Sequence, residues 1–386
     1  MSEWKKVKLG EICEITAGGD KPQVVSEYRT KECMIPIYSN GIDNEGLYGF
    51  TDKAKNSGNA ITITGRGANV GTVFYRKEPF LPIIRLLTLN PDTQSVDAQY
   101  LYYLLKEKTF LSTGSAQPQI TVPNIEQYEI EYNPNLLTQH RIATILSRYD
   151  SLIENYQKQI KLLEESAQRL YKEWFIDLRF PGHENTKIVD GVPEGWEKKK
   201  LIDVSKTTSG GTPSRTNNSF YSGSIMWVKT KELCDGFILD TEEKITEEAI
   251  NKSSAKIVPA GSILMAMYGA TIGKLGVATK DLTCNQACCV FLISEDNPLR
   301  WYIFNWLLLN RNFLISQGKG AAQPNLSQDM IKGFELMIPD DKSLKEYHLL
   351  INPIYLNVKS LQSQIRLLTE ARDRLLPKLM SGEIEV

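Results

Sequence analysis

The sequence predicts an α/β protein: two mixed α/β globular domains in tandem repeat, joined by two long antiparallel coiled-coil helices and related by pseudo-two-fold symmetry. Three observations predict it. Short blocks recur in the same order in both halves of the 386-residue chain. Each half closes on a heptad seam. The region before each seam mixes short β-rich runs with one helical stretch. Length suggests two or three domains. With 41% hydrophobic and 24% charged residues, the composition excludes disordered and fibrous classes.

The repeat sets the organisation. Trp4-Lys5-Lys6-Val7-Lys8-Leu9 reappears as Trp196-Glu197-Lys198-Lys199-Lys200-Leu201. Ala17-Gly18-Gly19 falls opposite Ser209-Gly210-Gly211, and Gly67-Ala68-Asn69-Val70-Gly71 opposite Gly269-Ala270-Thr271-Ile272-Gly273. Gly114-Ser115-Ala116-Gln117-Pro118-Gln119-Ile120 matches Gly320-Ala321-Ala322-Gln323-Pro324-Asn325-Leu326, and Ile160 to Glu165 matches Ile365 to Glu370. Between these anchors the halves differ widely, as in a tandem duplication that keeps a scaffold and diverges elsewhere.

The regions before the seams, roughly 1–137 and 185–342, carry the β-rich runs Ala60 to Thr64 and Ser262 to Met267. Turn signals punctuate them at Asn40-Gly41, Ser57-Gly58, Gly210-Gly211-Thr212-Pro213 and Pro259-Ala260-Gly261. Helical stretches follow over 98–108 and 299–310. Phe180 to Asn185 reads as a linker.

The first seam steps by four and three through Ile142, Leu146, Tyr149, Ile153, Tyr156, Ile160, Leu163, Ala167, Leu170 and Trp174. At about 1.5 Å per residue it spans roughly 50 Å. The second runs Ile351, Ile354, Val358, Leu361, Ile365, Leu368, Arg372, Leu375 and Leu379, with Arg372 a polar position of the kind that sets register. Pro353 is explained either by Asn352 as a cap with proline at the first helical position, or by a kink in a longer helix. So narrow a strip wants a partner helix, and the order domain–helix–domain–helix makes the second seam the partner. An antiparallel pair then places one globular domain at each end.

No run of 18 apolar residues exists, so a membrane span is not expected, and Met1 to Lys6, with no apolar core behind them, give no expectation of a secretory signal. Six cysteines (13, 33, 234, 284, 288, 289) form no C-x-x-C pair, and the three histidines (140, 183, 348) lie apart from them. No metal site or disulfide framework is expected, and the cytoplasm is the natural compartment.

Enzymatic signatures fail one by one. Gly269 to Lys274 has too few residues between its glycines for a phosphate loop, and Leu275 stands where Ser or Thr is needed. Asn352-Pro353-Ile354-Tyr355 resembles the Asn-Pro-Pro-Tyr site of amino-methyltransferases but lies in a heptad helix without a glycine-rich cofactor strand. Glu242-Glu243-Lys244 offers the Glu-x-Lys of a metal nuclease within a common charged loop. Cys284, Cys288 and Cys289 sit in an apolar run without an acid or histidine partner. No catalytic residue is predicted.

The remaining features suit DNA. The net charge is -1, so nucleic-acid binding has to come from local groups. Basic residues cluster at Lys5, Lys6, Lys8 and at Lys198, Lys199, Lys200. The Gly-x-x-x-Gly loops carry Arg66 and Asn69 in one half, and Tyr268, Thr271 and Lys274 in the other. The Gln-Pro segments carry Gln117 and Gln119, and Gln323 and Asn325. Lys21 and Arg215, beside the Gly-Gly turns, complete the DNA-binding candidates. Arg can bridge guanine O6/N7, Gln or Asn can bridge adenine N6/N7, and adjacent glycines let the backbone approach phosphate.

Taken in order, the Trp-x-x-x-x-Leu openings, Gly210-Gly211-Thr212-Pro213, the Gly-x-x-x-Gly loops, the Gln-Pro segments and the two terminal heptad helices resemble the specificity (S) subunit of type I restriction–modification systems. The resemblance covers nearly the whole chain. It departs at Gly18-Gly19-Asp20-Lys21-Pro22, where the family more often shows Gly-x-Pro. It implies target-recognition domains at 1–137 and 181–342, and conserved spacer helices at 138–180 and 343–386. It further implies a non-catalytic subunit reading a bipartite double-stranded DNA target. Two modification (methyltransferase) subunits would bind S-adenosylmethionine and methylate adenine N6, and restriction (motor/nuclease) subunits would use ATP and magnesium. No cofactor is expected in this chain. Two other readings of the residues are a coiled-coil adaptor with protein-binding heads and a lone nuclease using Glu242 and Lys244.

Overall fold

The computed structural model describes residues 4–67, 69–110, 119–318 and 325–386. The chain divides into two units, one of residues 1–153 with 367–386, the other of residues 154–366.

In the first unit, four strands form an antiparallel sheet in the order Cys13–Ala17, Leu87–Pro91, Ala60–Ile63, Val73–Arg76. A second sheet orders Leu47–Thr51, Ile35–Tyr38 and Leu81–Pro82, the last pair parallel. The central strand Ala60–Ile63 is buried along its whole length, which explains its continuous apolar and β-branched character. Ile61, Ile63, Leu87 and Leu89 pack with Tyr100, Leu101 and Leu104 of the helix Ala98–Lys106. Each fully buried Leu or Ile contributes about 1.5–3 kcal/mol. That helix starts where Asp97 accepts from the Tyr100 amide at 2.8 Å.

The second unit repeats the plan. Its larger sheet runs Lys206–Ser209, Cys288–Leu292, Ile263–Ala266, Leu275–Ala278, with an added strand, Gly236–Ile238, parallel to the last. Its smaller sheet runs Lys244–Ile245, Ile225–Val228, Thr283–Cys284, again with one parallel pair. The added strand is the clearest divergence between the halves.

The anchors of the repeat have structural causes. Leu9 and Leu201 are fully buried, and their amides donate to the Tyr128 and Phe334 carbonyls at 3.0 and 2.9 Å. The strands before them, Lys5–Lys8 and Glu197–Lys200, pair antiparallel with Glu129–Tyr132 and Glu335–Ile338. The Gly-Gly turns are sites of close backbone approach. A Cβ on Gly210 would lie 1.9 Å from the Cys284 carbonyl oxygen, and one on Gly18 would lie 2.7 Å from the Pro82 carbonyl carbon.

The two long helices are Leu136–Phe175 and Asp341–Met380, 40 residues each. Every seam position of both is buried or half-buried, and within each unit they pair antiparallel. In the first unit Asp150 meets Arg372, while Ile142 and Leu146 share a core with Leu376 and Leu379. In the second, Tyr171 and Trp174 pack on Tyr347, with ring centroids 6.3 and 5.9 Å apart.

Pro353 lies inside the longer helix, whose cap is Asp340. Its Oδ1 accepts from the Lys342 and Ser343 amides, both at 3.0 Å, and Trp196 Nε1 donates to its Oδ2 at 3.2 Å. The longer-helix alternative is therefore the one formed, and Asn352 does not cap. Proline removes the bond to the carbonyl of Leu349, an exposed residue at which solvent can replace it.

Candidate nucleic-acid interface

The two Gly-x-x-x-Gly loops share one backbone frame. In the first half, Thr64 N donates to Thr72 O at 3.0 Å, Gly71 N to Thr64 O at 2.8 Å and Thr72 N to Asn69 O at 3.3 Å. In the second, Ala266 N donates to Lys274 O, Gly273 N to Ala266 O and Lys274 N to Thr271 O, each at 2.9 Å. All four glycines have left-handed φ, 92° at Gly67 and Gly71, 85° at Gly269 and 78° at Gly273. A Cβ at Gly67 or Gly269 would touch nothing. Glycine is set there by the turn, not by crowding. Thr64, Asn69 and Thr72 thus correspond to Ala266, Thr271 and Lys274: one frame with different side chains.

The residues that follow the two Gln-Pro pairs dock on these loops in the same way. The Ile120 amide donates to Gly65 O at 2.9 Å, and the Leu326 amide to Met267 O at 2.9 Å. Arg66 forms an antiparallel bridge with Gln119. Arg66, Asn69 and Gln119 are therefore brought together in one half, and Tyr268, Thr271 and Asn325 in the other. Asn69, Tyr268 and Asn325 are exposed; Arg66, Gln119 and Thr271 are half-exposed. Gln117 and Gln323 lie outside the described residues.

Three further candidates are engaged within the fold. Lys21 Nζ donates to the Tyr48 hydroxyl at 2.7 Å and lies 4.4 Å from that ring. Arg215 pairs with Glu243 at 2.6 Å and covers the Tyr221 and Trp227 rings at 4.2 and 5.0 Å. Their pairing pushes the Arg215 pKa up and pulls that of Glu243 down. Lys274 pairs with Asp235 at 2.7 Å. Asp235 is also gripped by Arg311, whose Nε donates to the Gly273 carbonyl at 2.9 Å. Asp235 and Arg311, which sequence reasoning missed, brace the base of the second loop; they lie far from it in the chain and carry no local signal.

The basic clusters meet acids across or along their strands. Lys6 and Lys8 sit opposite Glu131 and Glu129; Lys198 pairs with Glu335 at 2.6 Å and Lys199 with Glu197 at 2.8 Å. Hydrogen bonds from Lys229 and Lys231 pull the Glu242 carboxyl down to about 2, and Lys244 pairs with Asp240 at 3.0 Å. Among the described residues, no three His, Cys, Asp or Glu converge as a metal site. Burial pushes the Cys289 thiol up to about 12, and Cys284 and Cys288 are buried too. Asn352 Oδ1 accepts from Arg300 at 3.1 Å and Trp301 at 2.9 Å. Tyr355 stacks on Trp301 at 3.9 Å, so the Asn-Pro-Ile-Tyr stretch is core packing. No described helix is long and apolar enough to cross a membrane.

The chain is similar to known proteins. The family described as "Type I restriction modification DNA specificity domain" matches residues 1–165 and 193–347. The MjaIX specificity subunit of a type I restriction enzyme from Methanocaldococcus jannaschii is 30% identical over 374 residues, 94% of this chain and 82% of that one. The HindI specificity subunit from Haemophilus influenzae is 24% identical over the full length of both chains. The crystal structure of a type I restriction–modification S subunit from M. genitalium shares the fold, with a TM-score of 0.68 and 17% identity over 98% of this chain and 96% of that one.

Proposed function

The chain belongs to the type I restriction–modification DNA specificity family, and we propose that it is the non-catalytic, sequence-specific DNA-binding subunit of such a complex in the cytoplasm. Each globular domain reads one half of a bipartite double-stranded target, and the paired helices set the gap between the halves. Two modification subunits carry S-adenosylmethionine and methylate adenine N6. Restriction subunits, with ATP and magnesium, translocate and cleave. The near-zero net charge fits an arrangement in which the partners add phosphate contacts.

One observation carries this reading. The two halves hold the same Gly-x-x-x-Gly loop frame, with Ile120 and Leu326 docked on it alike, but present Arg66, Asn69 and Gln119 in one and Tyr268, Thr271 and Asn325 in the other. Equal frames with unequal hydrogen-bonding side chains suit two different half-sites. The test replaces residues 1–137 by the corresponding domain of another specificity subunit and maps methylated adenines in cells. One half-site should change while the other and the gap stay. A change in both, or in neither, overturns the proposal.

A further inference from the structure

The first half contains a feature that its repeat lacks. Ile84 and Arg85 are consecutive residues with left-handed backbone, φ 52° and 58°, and both are exposed. A β-branched residue rarely accepts this conformation and keeps it only where its surroundings impose it. Here they do. Ile84 N donates to Gly19 O at 2.8 Å and Arg85 N to Gly18 O at 3.0 Å, and Asn40 Nδ2 donates to Ile84 O at 2.6 Å.

Asn40 does more than hold Ile84, because its Oδ1 accepts from Gly65 N at 2.8 Å. One amide therefore joins the residue before Arg85 to the residue before Arg66. A Cβ built on Gly65 would lie 3.3 Å from Arg85 O, so the two arginines spring from adjoining backbone. The other arginines of this region are spent: Arg29 pairs with Glu78, and Arg76 is buried beneath Tyr38 and pairs with Glu45. Among the described residues neither Arg66 nor Arg85 has a side-chain hydrogen bond or an ion pair.

The second half closes the same place differently. There Met267, the counterpart of Gly65, donates directly to the Ala287 carbonyl at 2.9 Å. The strand registers Ala17 with Leu87 and Ser209 with Cys289 make Ala287 the counterpart of Arg85. The repeat thus has alanine, in ordinary backbone, where the first half raises a guanidinium on a strained ledge.

We propose that Arg85 is a phosphate-contacting residue that seats the Arg66 loop on its half-site, with Asn40 as its positioning residue. This rests on the DNA-reading function proposed above. A free guanidinium beside, not within, the loop that carries Arg66 and Asn69 is placed to grip the backbone flanking the bases. Only the first half-site gains this contact.

The test uses the full chain assembled with its modification subunits. The probe is a duplex carrying the motif mapped from methylated adenines in the source cells, against a duplex with both half-sites scrambled, over a salt series. Arg85→Ala should weaken binding about tenfold whatever base occupies the first half-site. It should also reduce the slope of log affinity against log salt by about one, while Arg85→Lys, which keeps the charge, retains both. Unchanged affinity and slope in Arg85→Ala, equal loss in Arg85→Lys, or loss of discrimination at a single base pair with an unchanged slope would each overturn the assignment. A wild-type complex that fails to distinguish the two duplexes removes the DNA-reading function itself, and this proposal with it.

Discussion

Arg372 of the C-terminal helix donates to Asp150 Oδ1 of the central helix at 2.5 Å, while the Tyr103 hydroxyl donates to Asp150 Oδ2 at 2.5 Å. The position that interrupts the heptad seam is therefore a polar lock joining both long helices to the helix Ala98–Lys106. The Arg372 and Asp150 side chains are only 13% and 23% exposed, so removing one partner leaves a partly desolvated charge.

Arg372→Ala should destabilise the first unit by about 2–3 kcal/mol, seen as a lowered urea midpoint. Replacing both partners with leucine should cost less than the single change, because the one charge then left without a partner, Asp373, faces solvent. If Arg372→Ala costs the same in wild-type and Asp150→Ala backgrounds, the lock does not exist.

A second prediction concerns pH. A cavity of about 400 Å³ in the second unit is lined by Glu164, Tyr171, Cys234, Asp235, Arg311 and Tyr355, among others. Burial raises the Glu164 pKa, and the Asp235 charge adds to it. Between the unfolded value, about 4.3, and the higher folded one, the folded state binds more protons. Stability must then fall as pH rises through that window, with the full penalty present above it. Glu164→Gln should raise the urea midpoint of the second unit at neutral pH, and the gain should vanish in acid below the unfolded value. A less stable variant at neutral pH would show that the ionised carboxylate is well solvated or paired.

These features were unequally legible in the sequence. The seams were plain because a 3.5-residue period marks every turn of a helix, and the Gly-x-x-x-Gly loops because left-handed turns require glycine. Arg85 was hidden: Ile83-Ile84-Arg85-Leu86-Leu87 reads as an apolar strand, and its left-handed kink is imposed by Gly18, Gly19 and Asn40, distant in the chain. The lysine clusters were legible as charge, but the glutamates opposite them arrive only through strand pairing. Lys274 looked like a reader, yet Asp235 holds it at the loop base, a contact that no local pattern announces.

That clamp yields the third prediction. Arg311→Ala frees the Gly273 carbonyl and removes one of the two cations on Asp235, so the second loop loses its brace while the first is untouched. Methylation in cells should become slower or less selective at the second half-site by about tenfold or more, because all three hydrogen bonds of the Arg311 guanidinium are lost. Equal relaxation at both half-sites would mean that the substitution acts on stability and not on the loop.

The last prediction addresses the gap. Seven residues inserted after Ile160 and seven after Arg366 preserve the heptad phase of both seams, so the buried stripe of each helix continues to face its partner, while Gln362 keeps its bond to the Phe237 amide. Each insertion adds about 10.5 Å at 1.5 Å per residue, close to three base pairs at 3.4 Å each. The mapped motif should keep both half-sites and widen its gap by about three base pairs. Inserting two residues instead turns the rest of each stripe by about 200° away from its partner, at about 100° per residue, and should abolish methylation without producing a new motif. An unchanged gap in the seven-residue variant would show that the distance between half-sites is set by something other than the helices.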